Sequence, residues 1–145
     1  MGRRAVPDDM SLHRHRVRYH ETDAQGILFN AHYWEIFDVA MAEYFRALGW
    51  TYPAMVAAAF DPCVVKAEAT FHHAAAFDDE LETTVRCARV GRSSFSLNFE
   101  LRNSNGILLT SATIVYANLD TTSRRARPIP ALLRDPLTSH AELGV

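Results

Sequence analysis

The residues best placed to do chemistry stand at one loop-to-helix junction, His20-Glu21-Thr22-Asp23-Ala24-Gln25-Gly26 running on to Asn30. Asp23 supplies a carboxylate just before a helix start, and Gly26 lets the backbone turn sharply. The free N–H groups at a helix N-terminus form a ready anion site, to which the helix dipole adds. Such donors can hold the oxyanion of an acyl-transfer intermediate. A carboxylate beside them can act as nucleophile or as general base on a water. The same residues also suit an Asx turn that stabilises the loop, and local composition alone favours that plainer role.

The helix that follows is the clearest element. Tyr33, Phe37, Ala40, Met41, Tyr44, Phe45 and Leu48 recur at three- and four-residue steps and form a broad apolar stripe dense with aromatics. Asn30 is the expected N-cap and Gly49 the expected C-terminal stop. Upstream, Leu12 to Tyr19 reads as an edge-like strand. From Cys63 the period changes to two. Val65, Ala67, Ala69 and Phe71 form one series, Leu81, Thr83, Val85 and Cys87 a second, and Phe95, Leu97, Phe99 and Leu101 a third. Asn105-Gly106 signals a hairpin into a last strand, Ile107 to Leu119, apolar on both faces and therefore central. Pro128-Ile129-Pro130 breaks that strand, and a short helix is expected over 131–134. Strand, loop, long helix and then four strands is an α+β order, with one sheet wrapping one apolar helix.

Composition narrows the function classes. The 145 residues are 48% hydrophobic and 22% charged, enough for one packed domain. A formal charge of −2 weighs against nucleic acid as partner. Lys66 is the only lysine among 15 Lys and Arg residues. No segment reaches the roughly 20 apolar residues of a membrane span, and the polar start, 1–10, lacks a signal-peptide core, so no membrane insertion and a cytoplasmic location are expected. Cys63 and Cys87 are too few and too far apart for a disulfide framework, and Cys87 is expected to be a buried thiol. His72-His73 lacks a third ligand at metal spacing, so a metal site is not expected.

The run Tyr19-His20-Glu21-Thr22-Asp23-Ala24-Gln25-Gly26-Ile27-Leu28-Phe29-Asn30-Ala31-His32-Tyr33 resembles the signature of the hot-dog-fold acyl-CoA thioesterases. It is nearest the 4-hydroxybenzoyl-CoA thioesterase and Tol-Pal-associated types, whose pattern is roughly Asp-Thr-Asp-Ala-x-Gly, two apolar residues, an aromatic, then x-x-x-Tyr. Phe77-Asp78-Asp79-Glu80-Leu81, Val90-Gly91-Arg92-Ser93-Ser94-Phe95 and Arg127-Pro128-Ile129-Pro130 resemble the family's later turns and closing segment. The likeness implies a hot-dog fold, a five-stranded antiparallel sheet around one central helix. The domain would span 12–134, between tails at 1–11 and 135–145.

By position, the resemblance implies that Asp23 is the catalytic carboxylate, attacking the thioester or activating water. Backbone N–H groups near Phe29 and Asn30 would form the oxyanion hole. Gly26 would admit the thioester close to the backbone, and Tyr33 would help shape the acyl pocket or support the loop. Two positions depart from the pattern: Glu21 replaces the first Asp of the doublet, and Asn30 stands where relatives have His or Tyr. His32 could substitute as a polarising group or equally be a solvent-facing helix residue, and His72-His73, near the partner subunit's site in such a fold, could bring one histidine to the substrate.

The resemblance also implies an acyl-CoA substrate, no cofactor, and assembly to a dimer and on to a tetramer with sites between subunits. Arg89, Arg92, Ser93, Arg124 and Arg125 are the groups available for the CoA phosphates. Phe29, Tyr33, Trp34 and Phe37 would give an aromatic lining suited to aryl or medium-length acyl groups. An acyl carrier protein as thioester donor, docking on the basic residues at 124–127, and a non-catalytic acyl-CoA-binding domain are the alternatives.

Overall fold

The computed structural model describes residues 11–143, so all but the last residue of the tail expected at 1–11 lies outside the described residues, and Ser11 begins the first strand. Strand β1 (Ser11–Arg16) leads through a 3₁₀ turn at Tyr19–Glu21 and the Asp23 loop into helix α1 (His32–Ala47). A short helix α2 (Tyr52–Ala57) precedes four long strands, β2 (Pro62–Phe71), β3 (Glu80–Val90), β4 (Ser94–Asn103) and β5 (Leu108–Asp120). A two-residue strand β6 (Arg125–Ala126) and helix α3 (Ala131–Leu143) close the chain. The sheet runs β1-β3-β4-β5-β2, antiparallel throughout, with β6 added to the end of β5. This is the hot-dog arrangement, with β5 inside the sheet as its two-sided apolarity requires.

The period-two pattern puts one face of β3, β4 and β5 inward, whereas no residue of edge strand β2 is buried. Leu81, Val85 and Cys87 of β3, Phe95, Leu97, Phe99 and Leu101 of β4, and Ala112, Ile114 and Tyr116 of β5 are buried against the α1 stripe. Phe37 packs on Phe99 at 5.1 Å between ring centroids, Phe45 on Phe95 at 5.7 Å, and Phe95 stacks on Tyr116 at 5.0 Å. Burial of each such side chain contributes about 1.5–3 kcal/mol. The Cys87 thiol is pushed up to about 11 by burial, against the opposing pull of the Arg89 backbone, and stays protonated at neutral pH. The hairpin forms around Asn105-Gly106, where Gly106 takes φ +77° and Asn103 Oδ1 accepts the N–H groups of Asn105 and Ile107.

Three expectations need correction. Asn30 does not cap α1. The cap position is Ala31, with helical φ and ψ and no side-chain cap bond, because the first turn closes through His32 N–H to Phe29 O at 3.0 Å. β1 ends at Arg16, since Tyr19–Glu21 coils into the 3₁₀ turn, although Val17 still bonds Asp79 across the ladder. The segment 135–143, expected as a tail, continues α3 as packed helix. Leu133 and Leu137 are buried, and His140 Nδ1 lies 2.6 Å from Tyr44 Oη, seating α3 beside α1. No helix among the described residues is long and apolar enough to cross a membrane.

Candidate active site

The Asp23 loop is a miniature hairpin. Thr22 bridges Leu28, Asp23 N–H bonds Ile27 O at 2.9 Å, and Gly26 N–H bonds Asp23 O at 3.0 Å. Gly26 takes φ +75°, a conformation that side chains resist, while a Cβ there would meet nothing within 4 Å. The glycine therefore serves the turn, and the space above it is open. Asp23 Oδ1 accepts the Gln25 N–H at 2.8 Å, the Asx turn allowed by composition. The hairpin is stitched to the β2–β3 connection by Leu28 N–H to Ala75 O at 2.8 Å and by the Ile27–Ala76 bridge.

A cavity of about 270 Å³ opens beside this loop, and Asp23, Asn30 and Tyr33 all line it. Phe71, His72 and His73, at the end of β2, form its opposite wall. Tyr33 is buried and packs edge-on against Phe71 at 5.0 Å. Burial above all, and the nearby Asp23 charge, raise the Tyr33 hydroxyl, opposed by the Thr110 hydroxyl and the Ala75 backbone. The phenol therefore stays neutral. The Phe29 amide is engaged, bonding Glu21 O at 2.9 Å. Among the described residues the next amide, Asn30, has no intrachain acceptor. Of the two positions expected to supply oxyanion donors, only Asn30 has its N–H available.

The structure separates other expected residues from this cavity. His32 lies against the Phe29 ring and within 3.4 Å of Glu35, outside the cavity lining. Phe29 is 44% exposed, and Phe37 is wholly inside the core, so neither walls the cavity. His72 and His73 line the cavity of their own subunit. Their amides both bond Leu109 O, and His72 Nε2 lies 2.9 Å from Ser111 Oγ. Trp34 instead borders a second, apolar cavity of about 200 Å³ along the seam between α1 and β2, with Asp38, Val64, Ala67, Ile114 and Tyr116.

The arginines gather elsewhere. Arg89, Arg92 and Ser93 lie at the β3–β4 turn, where Ser93 O accepts the Asn118 N–H, and Arg124 and Arg125 lie at the β5–β6 turn beside it. Thr110 of β5, level with Phe71, is seven residues from Ala117, which pairs with Ser94. At about 3.3 Å per residue the two ends are about 23 Å apart. Within one chain, the proposed phosphate groups and Asp23 are not brought together.

The family description "Thioesterase-like superfamily" matches residues 17–137, nearly the whole described fold and the entire Asp23 loop. The chain belongs to that superfamily. Among its relatives, the acyl-CoA thioesterase YbgC of Haemophilus influenzae is 31% identical over 106 residues, 72% of this chain and 77% of that protein. The fold superposes on SAV2348 of Staphylococcus aureus, solved in complex with CoA, with a TM-score of 0.82 at 14% identity, covering 92% of this chain and 85% of that one. It superposes on Slr0204, a 1,4-dihydroxy-2-naphthoyl-CoA thioesterase from Synechocystis, with a TM-score of 0.77 at 16% identity, covering 87% and 93%. This thioesterase-family enzyme has its loop and its helix start in one cavity.

Proposed function

We propose that this thioesterase hydrolyses acyl-CoA thioesters to a free acid and CoA, with Asp23 as the catalytic carboxylate and the Asn30 amide as an oxyanion donor. The observation that carries this reading is the shared cavity, where Asp23 faces an unengaged amide at the head of α1. In the general-base form, Asp23 takes a proton from water as the oxygen adds to the thioester carbon. In the nucleophilic form, Asp23 Oδ2 adds instead, and water then cleaves the acyl-aspartyl anhydride. In both, the carbonyl oxygen gains charge against the Asn30 N–H, and collapse expels the thiolate. A thiolate leaves readily, so a strong general acid is dispensable and no cofactor is needed. The acyl group would lie against Tyr33 and Phe71, with the apolar space by Trp34 as room for an aryl or medium-length chain.

The CoA moiety calls for a second subunit. β2 is an edge strand that exposes Val64, Val65 and Phe71, by 51%, 59% and 49%, whereas edge β1 is blunted by Arg16 and Glu80 at 3.2 Å. Twofold antiparallel pairing of β2 with its copy would bring the partner's arginine-rich end beside Asp23. That geometry would reunite the two ends that one chain holds about 23 Å apart. The test is CoA release from benzoyl, hydroxybenzoyl and straight-chain acyl-CoAs, beside the same acyl groups on an acyl carrier protein. Turnover of the CoA esters is expected. Turnover only of carrier-bound acyl groups would reassign the substrate, and binding without turnover would indicate a non-catalytic acyl-CoA-binding domain.

A further inference from the structure

The loop that carries Asp23 is held by a pair that this chemistry does not use. Glu21, only 7% exposed, stands two residues before Asp23. His15 Nε2 of β1 lies 2.8 Å from Glu21 Oε1 and 2.9 Å from Oε2, and Oε1 also accepts the Arg18 N–H at 2.8 Å. The backbone of the same residue reaches the other way, its carbonyl accepting the Phe29 N–H at 2.9 Å. One residue thus joins β1, the 3₁₀ turn and the approach to α1. The stretch between its two anchors contains Asp23, and the stretch ends one residue before Asn30.

We propose that His15 and Glu21 are positioning residues for the hydrolysis, fixing the Asp23 carboxylate relative to the Asn30 amide. The inference rests on Asp23 being the catalytic carboxylate. A buried carboxylate needs partners, and here the partners are the Arg18 amide and an imidazole that must present Nε2–H. Where the hot-dog pattern has Asp, a side chain one methylene shorter would forfeit one of them. The other titratable groups facing the pair are His13, stacked on His15 at 6.1 Å, His20 on the turn, and Glu43 of α1 acting on His13. A misplacement of about 1 Å at a reacting group can cost about 100-fold in rate, so the pair need only loosen to be felt.

The test compares steady-state kinetics of the full chain with those of His15→Ala, His15→Gln, Glu21→Gln and Asp23→Asn, alongside thermal unfolding. His15→Ala is expected to lower kcat about tenfold or more with KM within about twofold. His15→Gln, whose amide nitrogen can replace Nε2–H, is expected to restore most of it. Wild-type kcat in His15→Ala, or equal losses in both His15 variants that simply follow lost folded protein, would overturn the inference. Should His15→Ala fail to fold, Glu21→Gln decides: a kcat loss at constant KM supports positioning, and unchanged kcat refutes it. The two readings fail differently. Full activity in Asp23→Asn removes the catalytic assignment itself, whereas an inactive Asp23→Asn with normal His15→Ala removes only the positioning role.

Discussion

Asp23 holds its loop and faces the cavity at the same time. Its Oδ1 accepts the Gln25 N–H, while Oδ2 has no partner among the described residues. The structural role weighed from composition and the proposed catalytic one are therefore compatible, one oxygen for each. Gly26 is needed for its φ, so Gly26→Ala should destabilise by about 1 kcal/mol, checked by urea unfolding, and should lower kcat because the strain falls on this loop. Glu21 carries a separate, pH-dependent prediction. Burial raises its carboxyl, but the Arg18 amide and His15 and His20 outweigh that and hold it below the usual carboxylate range. A carboxyl depressed on folding gives stability that is present above its unfolded value, near 4.5, and lost as pH falls through the folded value. The melting temperature should therefore drop below pH 4.5, and that drop should be shallower in Glu21→Gln.

At the scale of elements, the period of the apolar residues was a good guide. The α1 stripe and the strand series at 81–87 and 95–101 fall where the pattern puts them, because each buries one face against the other, whereas the series at 65–71 forms a strand that lies at the sheet edge and buries neither face. What escaped were features fixed by long-range or backbone geometry. Helix α2 has little periodic signal, and only Thr51 as cap and Pro53 in the first turn announce it. Helix α3 runs well past the expected 131–134, through Pro136, because Leu133 and Leu137 are held by β3 and the core. Leu137→Ala should cost about 2–5 kcal/mol, measured by thermal or chemical unfolding. Asn118 gave no signal in a strand of apolar residues. Buried, it accepts from Asp61 N–H at 2.9 Å and donates to Ala59 O and Pro128 O at 3.0 Å, tying β5 to both flanking segments. In the candidate site, Asp23, Asn30 and Tyr33 were legible from their motif. The opposite wall at 71–74 was not, because strand pairing alone brings it there.

For the whole molecule, the separation of Asp23 from the arginine turns is the feature with most consequence. A single chain holds the proposed chemistry at one end of the sheet and the cations at the other, and the exposed apolar edge β2 runs between them. Val65→Lys should shift the protein toward monomer in analytical ultracentrifugation and raise KM for acyl-CoA, since a charge on that edge opposes pairing. An unchanged sedimentation coefficient would place the interface elsewhere. The central claim, that Asp23 carries thioester hydrolysis, is tested most directly by CoA release from the preferred acyl-CoA in wild type and Asp23→Asn at equal folded concentration. Loss of a catalytic carboxylate with the loop intact should lower kcat about 100- to 10,000-fold. Equal, substantial rates in the two proteins would contradict the account.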